Sequence, residues 1–170
     1  MTVIVRDCRD DDIPATLAIY NELIASTTVA WTDRPMTVGA RRAWMLEQER
    51  RGFPVLVAED ADDLVGVASY GDFRDTTHWE GYRFTVEHSI HVLADRRGEG
   101  IGRALMAALV DRARTMGLHV MVGAVDGDNA GSVRFHERLG FVEVARMPEI
   151  GFKHGLRLDL VLMQRMLTSG

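Results

Sequence analysis

The stretch from Arg83 to Arg103 constrains the rest of the chain more than any other. It opens as a strand, with Phe84, Val86, Ile90 and Val92 at even positions and Glu87 and Ser89 on the opposite face. The alternation breaks at Ala94-Asp95-Arg96-Arg97, passes through Gly98, Gly100 and Gly102, and becomes a helix. Ile101, Ala104, Leu105, Ala108, Leu109, Arg112 and Met116 recur there at three and four, and Gly117 stops the run. A strand feeding a glycine-rich turn feeding a helix N-terminus is an anion-binding device. Glycine lets the backbone come close, and unpaired N–H groups at the positive end of the helix dipole meet phosphate.

Two familiar phosphate loops are excluded. Arg103 and Ala104 stand where a P-loop needs Lys and Ser/Thr, and Gly98-Glu99-Gly100-Ile101-Gly102 lacks the G-x-G-x-x-G spacing of a dinucleotide turn. The net charge of −5 argues against a general nucleic-acid or anionic-membrane surface. The single cysteine, Cys8, excludes an internal disulfide and a cysteine-based metal site, and reads as a small, half-buried side chain. No run is long enough to span a bilayer, and MTVIVRDCRDDD reads as a strand, not a signal peptide. At 170 residues the chain is expected to be a single soluble, cytoplasmic domain.

Taken in order, Val3–Arg6 is a strand, and Asp11 or Asp12 caps a helix carrying Pro14 in its first turn and an apolar stripe of Ile13, Leu17, Tyr20, Leu23 and Ile24. Asp10-Asp11-Asp12 reads as caps and dipole partners, not a metal site. Residues 25–37 are irregular, and a second helix runs from about Val38 to Arg51. Phe53–Glu59 and Leu64–Tyr70 form a hairpin, and Gly71–Gly81 (GDFRDTTHWEG) is a polar, aromatic loop suited to substrate contacts. His119–Val125 is a strand, Asn129 caps a helix that ends at Leu139-Gly140, and Phe141–Arg146 is a strand. Met147–Gly155 reads as a turn, and Leu156–Met166 as the last strand. The order is that of an α/β (α+β) domain with a mixed sheet.

Arg97-Gly98-Glu99-Gly100-Ile101-Gly102 is an R-x-x-G-x-G turn, which resembles the coenzyme A pyrophosphate loop of the GCN5-related N-acetyltransferases (GNAT). With Asn129, Ser132, His136 and Gly140-Phe141 after the next strand, the resemblance covers nearly the whole chain. It implies a mostly antiparallel, seven-stranded mixed sheet flanked by about four helices. Thr85-Val86-Glu87-His88-Ser89 and Gly151-Phe152-Lys153-His154-Gly155 with Asp159 resemble the phosphinothricin and methionine sulfone/sulfoximine N-acetyltransferases. Arg157 stands where that group usually has Trp, which bears on the shape of the substrate pocket.

That resemblance implies transfer of acetyl from acetyl-CoA to the α-amine of a small amino-acid analogue in a ternary complex, with no metal and, as a family property, a homodimer. An amine that is mostly ammonium at neutral pH must lose a proton to attack a thioester, and Glu87 matches the position of the base. Backbone groups of Ile90, His91 and Val92 are expected to meet the pantetheine arm and the oxyanion. The loop Arg97, Gly98, Glu99, Gly100, Ile101 and Gly102, together with Arg103, Asn129, Ser132 and Arg138, is expected to hold the cofactor. His136, seven residues after Asn129, is either the proton donor to the leaving thiolate or a packed helix histidine. For the acceptor, Arg74 is expected to meet the carboxylate, with Lys153 and His154 as the second choice. Asp75, Trp79, Glu80, His88 and Ser89 are placed near it. His78, His88, His91 and His119 fit no tetrahedral zinc spacing. Two other functions fit the same motifs: acetylation of a peptide or polyamine amine, and a non-catalytic acetyl-CoA sensor.

Overall fold

A computed structural model describes residues 3–61 and 63–167. Seven strands form one sheet: β1 (Ile4–Asp7), β2 (Val55–Asp60), β3 (Asp63–Asp72), β4 (Thr85–Val92), β5 (Val120–Asp126), β6 (Val142–Lys153) and β7 (Leu156–Met166). Their order is β1-β2-β3-β4-β5-β7-β6, and every pair is antiparallel except β4 with β5. The helices are α1 (Ile13–Ser26), α2 (Val38–Arg50), α3 (Ile101–Thr115) and α4 (Ala130–Arg138). This is the mostly antiparallel sheet with four helices that the family resemblance implied. Among the described residues no helix is long and apolar enough to cross a membrane.

Alternation on the central strands sorts the two faces. Ala68 of β3 and Val86 of β4 pack with Leu105, Met106 and Leu109 of α3 in the larger core cluster. Val67 joins Val55, Val57 and the α1 residues Ile19 and Leu23 on the other face, against Trp44 of α2. Fully burying a side chain such as Leu105 or Leu109 contributes about 1.5–3 kcal/mol, so the α3 stripe is the main anchor of the fold. The helix α2 differs. Its two buried residues are Arg41 and Gln48, both polar.

The acidic triplet forms a short 3-10 turn, Asp10–Asp12, and Asp12 stands at the N-cap of α1 without a side-chain cap hydrogen bond, because its carboxylate is engaged behind the helix start. Asp12 accepts from the Arg9 N–H at 2.7 Å and pairs with Arg6, which also pairs with Glu59 of β2. One expectation fails. The segment Met147–Gly155 is not a turn, because β6 continues to Lys153 with an irregular register between Met147 and Gly151. Pro148 and Glu149, which read as turn residues, sit in that bulge. Glu149 adopts φ +52°, and its N–H donates to Asp159 Oδ1 at 2.9 Å.

Candidate active site

The parallel pair at the centre of the sheet is short. The strands β4 and β5 are in register only from Thr85↔Val120 to His88↔Gly123, although β4 runs on to Val92 and β5 to Asp126. Beyond His88 the two strands part. The antiparallel ladder to β3 occupies one edge of Ser89–Val92, and the other edge faces an open groove of about 1600 Å³.

The turn after β4 closes one end of that groove. Gly98 and Gly100 have φ of +87° and +85°, a conformation that costs an L residue about 1–2 kcal/mol. Gly100 is also the N-cap of α3 and has no side chain to cap it, so the first N–H groups of the helix are left for a ligand. Gly102 serves another purpose. A Cβ there would stand 3.2 Å from the Phe135 ring, so its absence lets α3 and α4 approach. Ile90, His91, Val92, Arg97, Gly98, Gly100, Ile101, Gly102, Arg103, Asn129, Ser132 and Arg138 all line the groove. Glu99 does not; its carboxylate accepts from Arg96 Nε–H at 2.9 Å. Asn129 Oδ1 accepts from the Ser132 N–H at 3.0 Å, so it also caps α4.

A second cavity, of about 330 Å³, lies on the α1–α2 face and shares His91 with the groove. Tyr20, Arg41, Trp44 and Gln48 form its helical wall, and Glu87 and Ser89 of β4 form part of its floor. Of its two carboxylates, Asp72 is paired with Arg51 at 2.5 Å. Glu87 makes no ion pair among the described residues, and burial raises its pKa above the usual carboxylate range, with the charge of Arg74 opposing the rise. A half-buried carboxylate of raised pKa, without an ion pair among the described residues, is a competent proton acceptor. His91, held by Ser89 Oγ at 2.8 Å, is pushed down to about 4 by burial and by Arg41 and Arg97, so it is neutral at pH 7.

Several side chains named from sequence fall elsewhere. Asp75 is exposed and bonded to Thr77 and His78, and Trp79 and Glu80 are also exposed; none of the three lines either cavity. Arg74 is exposed and also lines neither cavity; its guanidinium is 5.3 Å from the Phe73 ring centre, and its charge acts on Glu87. Lys153 is fully buried and donates to the Ile24 and Ala30 carbonyls, so it ties down the α1–α2 connection and does not face an acceptor. Arg157 lies over Phe152 at 5.4 Å, outside both cavities, and therefore does not shape the pocket of its own chain.

His88 and His136 meet on the face opposite Glu87. His136 Nδ1 lies 2.7 Å from the Ser132 carbonyl, which can only accept, so Nδ1 carries the proton and Nε2 is the acceptor. His88 Nε2–H donates to it at 3.1 Å, which leaves His88 Nδ1 buried without a partner among the described residues. Burial lowers both pKa values, that of His88 to about 3. The pair is neutral at pH 7, and His136 does not border the groove. His136 therefore holds no proton directed at the groove. Gly123 makes room for the pair: a Cβ there would stand 2.8 Å from one ring and 2.9 Å from the other.

The acetyltransferase (GNAT) family model matches residues 16–141, which include the splayed strands, the turn and α4 up to Phe141. The chain belongs to this family. An L-methionine sulfoximine/L-methionine sulfone acetyltransferase of Pseudomonas aeruginosa is 47% identical over 165 residues, covering 96% of this chain and 94% of that protein. A GNAT phosphinothricin acetyltransferase from Sinorhizobium meliloti, solved in complex with AcCoA, superposes with a TM-score of 0.92 at 33% identity, covering 98% of this chain and 89% of that one. A ribosomal-protein-alanine N-acetyltransferase from Brucella melitensis superposes equally well, at a TM-score of 0.92 and 39% identity, over 96% of this chain and 99% of that one. GNAT enzymes use acetyl-CoA, and the groove beside β4 fits it chemically: a strand edge for amides, and a helix N-terminus with Arg97, Arg103 and Arg138 for phosphates.

The sequence reading missed the helical wall of the second cavity. The signal was present in α2, where Arg41, Trp44 and Gln48 recur at three and four on one face. That is the buried face of the helix, and it is written in polar residues.

Proposed function

We propose that this GNAT enzyme transfers acetyl from acetyl-CoA to the α-amine of a small amino-acid analogue carrying an oxidised sulfur or a phosphinate in its side chain. The observation that carries the reading is Glu87: a half-buried carboxylate without an ion pair among the described residues, in a cavity that shares the lining residue His91 with the cofactor groove. At about 330 Å³ that cavity is at the lower end for a small-molecule site and suits one free amino acid. The names of the Pseudomonas and Sinorhizobium relatives supply the substrate class.

In this proposal the acceptor enters with its carboxylate toward Arg74 and its ammonium toward Glu87. Glu87 takes the proton, and the freed amine attacks the thioester carbonyl of acetyl-CoA, which the open edge of Ser89–Val92 orients. Backbone N–H groups on that edge meet the developing oxyanion. The C–S bond then breaks and the thiolate leaves. Because both nitrogens of His136 are engaged, the thiolate takes its proton from water in the groove. Cys8, the single cysteine, lines neither cavity, and the proposed transfer is direct. The homodimer expected from the family stays part of this reading. It is supported by exposed Val142, Val144, Ile150 and Phe152 on β6, the outer strand of the sheet. Sedimentation as a monomer at micromolar concentration would remove it.

The test is thiol release from acetyl-CoA with methionine sulfone, methionine sulfoximine, phosphinothricin, plain amino acids, a polyamine and an alanine-start peptide. Turnover is expected for the first three. Glu87→Gln is expected to lower kcat/KM by roughly 10²–10⁴-fold while acetyl-CoA still binds. In the wild type, kcat/KM falls with decreasing pH as Glu87 takes up its proton, at a pH above the ordinary carboxylate range. Turnover of the peptide alone would transfer the assignment to the class named for the Brucella relative.

A further inference from the structure

The chemistry above leaves the buried charge of Arg41 unused. Arg41 is 5% exposed, and its guanidinium carbon lies 4.4 Å from the Trp44 ring centre and 5.9 Å from that of Tyr20. Other arginines on this half of the molecule have carboxylates: Arg6 has Asp12 and Glu59, and Arg51 has Asp72. Among the described residues Arg41 has none. Its single hydrogen bond there is from Nε–H to Thr16 Oγ1 at 3.4 Å. An uncompensated cation at this depth is costly, and desolvation does lower its pKa, yet guanidinium stays charged at pH 7. The stacking on Trp44 and Tyr20 fixes its plane and leaves the Nη groups, which bond no protein atom among the described residues, at the wall of the acceptor cavity. A fork of donors held flat against aromatic rings and lacking a protein acceptor is built for an acceptor on a ligand.

Its place in the cavity indicates which part of the ligand. The amine must lie at Glu87, and the cation whose field acts on Glu87 is Arg74. The field of Arg41 falls instead on His91, four residues further along the same face of β4. Tyr20 bridges the two, stacked near Arg41 and 6.0 Å from the His91 ring. An α-carboxylate is one carbon from the amine and stays at the Arg74 end, whereas the tip of a side chain reaches the Arg41 end.

We propose that Arg41 is the receptor for the oxygen atoms on the side-chain head group of the acceptor, the sulfone, sulfoximine or phosphinate. This rests on the substrate class proposed above and adds the residue that selects it. The two oxygens of a sulfone or phosphinate match the guanidinium fork, a sulfoximine offers it one oxygen and an imine nitrogen on the same tetrahedral sulfur, and an unoxidised side chain leaves Arg41 buried and unanswered. Sites built to hydrogen-bond a ligand group discriminate strongly against analogues that lack it.

The experiment compares Arg41→Met and Arg41→Lys with the wild type on methionine sulfone and phosphinothricin, and on norleucine as substrate or competitive inhibitor. Norleucine keeps the α-amine and α-carboxylate but has an apolar tip. Arg41→Met is expected to lose about 10–100-fold in kcat/KM for the two oxygenated acceptors, the size of a lost hydrogen bond to a charged group, and less than about threefold for norleucine. Arg41→Lys is expected to recover activity on the phosphinate more than on the uncharged sulfone. Equal losses on all three acceptors would overturn the proposal and make Arg41 an α-carboxylate anchor or a packing residue. If the wild type acetylates none of these acceptors, the substrate class has failed, and Arg41 is still tested by titrating dimethyl sulfone and methylphosphinate against Trp44 fluorescence. A saturable change that is absent in Trp44→Phe and weakened in Arg41→Lys supports the receptor. No change in the wild type overturns it.

Discussion

The proposed cofactor groove and the proposed acceptor pocket share His91 and one strand, but they are built differently. One wall of the groove comes from continuous chain: β4, the glycine turn and the first turn of α3, with α4 opposite and the end of α1 alongside. Its binding groups are largely backbone, and the positions that matter are those where a side chain is absent. The pocket gathers Tyr20 from α1, Arg41, Trp44 and Gln48 from α2, the β3 residues Val67–Asp72 and Glu87 from β4. Its binding groups are side chains. A ligand common to a family can be met by backbone geometry, whereas a particular acceptor must be met by particular side chains on elements distant in sequence.

The sharpest way to break this contrast is to damage each half and ask whether the other notices. Gly100→Val forces a β-branched residue to φ +85° at the uncapped start of α3. It is expected to raise KM for acetyl-CoA by about tenfold or more, the loss of one charge-assisted hydrogen bond, with little change in KM for the acceptor. Gln48→Ala is the counterpart. Gln48 Nε2–H donates to the Tyr70 carbonyl at 2.8 Å inside the pocket wall. Its removal leaves that buried carbonyl unpaired, costs about 1–3 kcal/mol of stability and should raise KM for the acceptor alone. Initial-rate kinetics in both substrates check both variants. If either variant moves both constants equally, the two cavities are one coupled unit and the contrast is lost.

The same difference explains what the sequence disclosed. The groove was legible because its signature is local: Arg97 to Gly102 read as an anion turn from spacing alone, and Asn129 as a cap at the start of the facing helix. The sheet was legible from alternation, except in β6, where Pro148 and Glu149 imitate a turn inside a bulge. The pocket was legible only at Glu87, through the strand that leads into the groove. The loop residues Asp75, Trp79 and Glu80 were polar and aromatic, as a pocket mouth is, but they bond among themselves or face solvent. Arg41 carried the opposite disguise. On an exposed face an arginine is unremarkable, and only tertiary packing shows that its face is buried.

A medium-sized effect is expected where the two halves join. The His88–His136 pair sits at the last rung of the parallel ladder, with Gly123 beneath it. Both histidines have folded pKa values below the ordinary 6.5, so between pH 6.5 and about 3 the unfolded chain binds more protons than the folded one. Stability from these groups is thus fully present above pH 6.5 and is lost as the pH falls below it; His91, at about 4, acts in the same direction. Melting temperature is expected to decline from pH 7 to pH 4.5, and less steeply in the His88→Leu, His136→Phe chain. Gly123→Ala places a methyl against both rings, and the usual overpacking cost of about 1–3 kcal/mol should lower Tm by roughly 2–4 °C per kcal/mol. A pH profile of Tm identical in the double variant would show that the junction does not titrate.

The smallest effects are expected at the rim of the groove. Arg103 and Arg138 are on helix surfaces facing it and have no ion pair among the described residues. On the proposed reading each meets phosphate through water-exposed charge, so Arg103→Gln or Arg138→Gln should raise KM for acetyl-CoA only about two- to threefold, as expected of surface pairs. The difference from wild type should vanish near 1 M salt, where the Debye length is about 3 Å. Acceptor KM should not respond. A much larger loss that persists in salt would mean a desolvated, bidentate arginine–phosphate contact. The groove would then depend on individual side chains as the pocket does, and the division between a backbone-built half and a side-chain-built half would no longer hold.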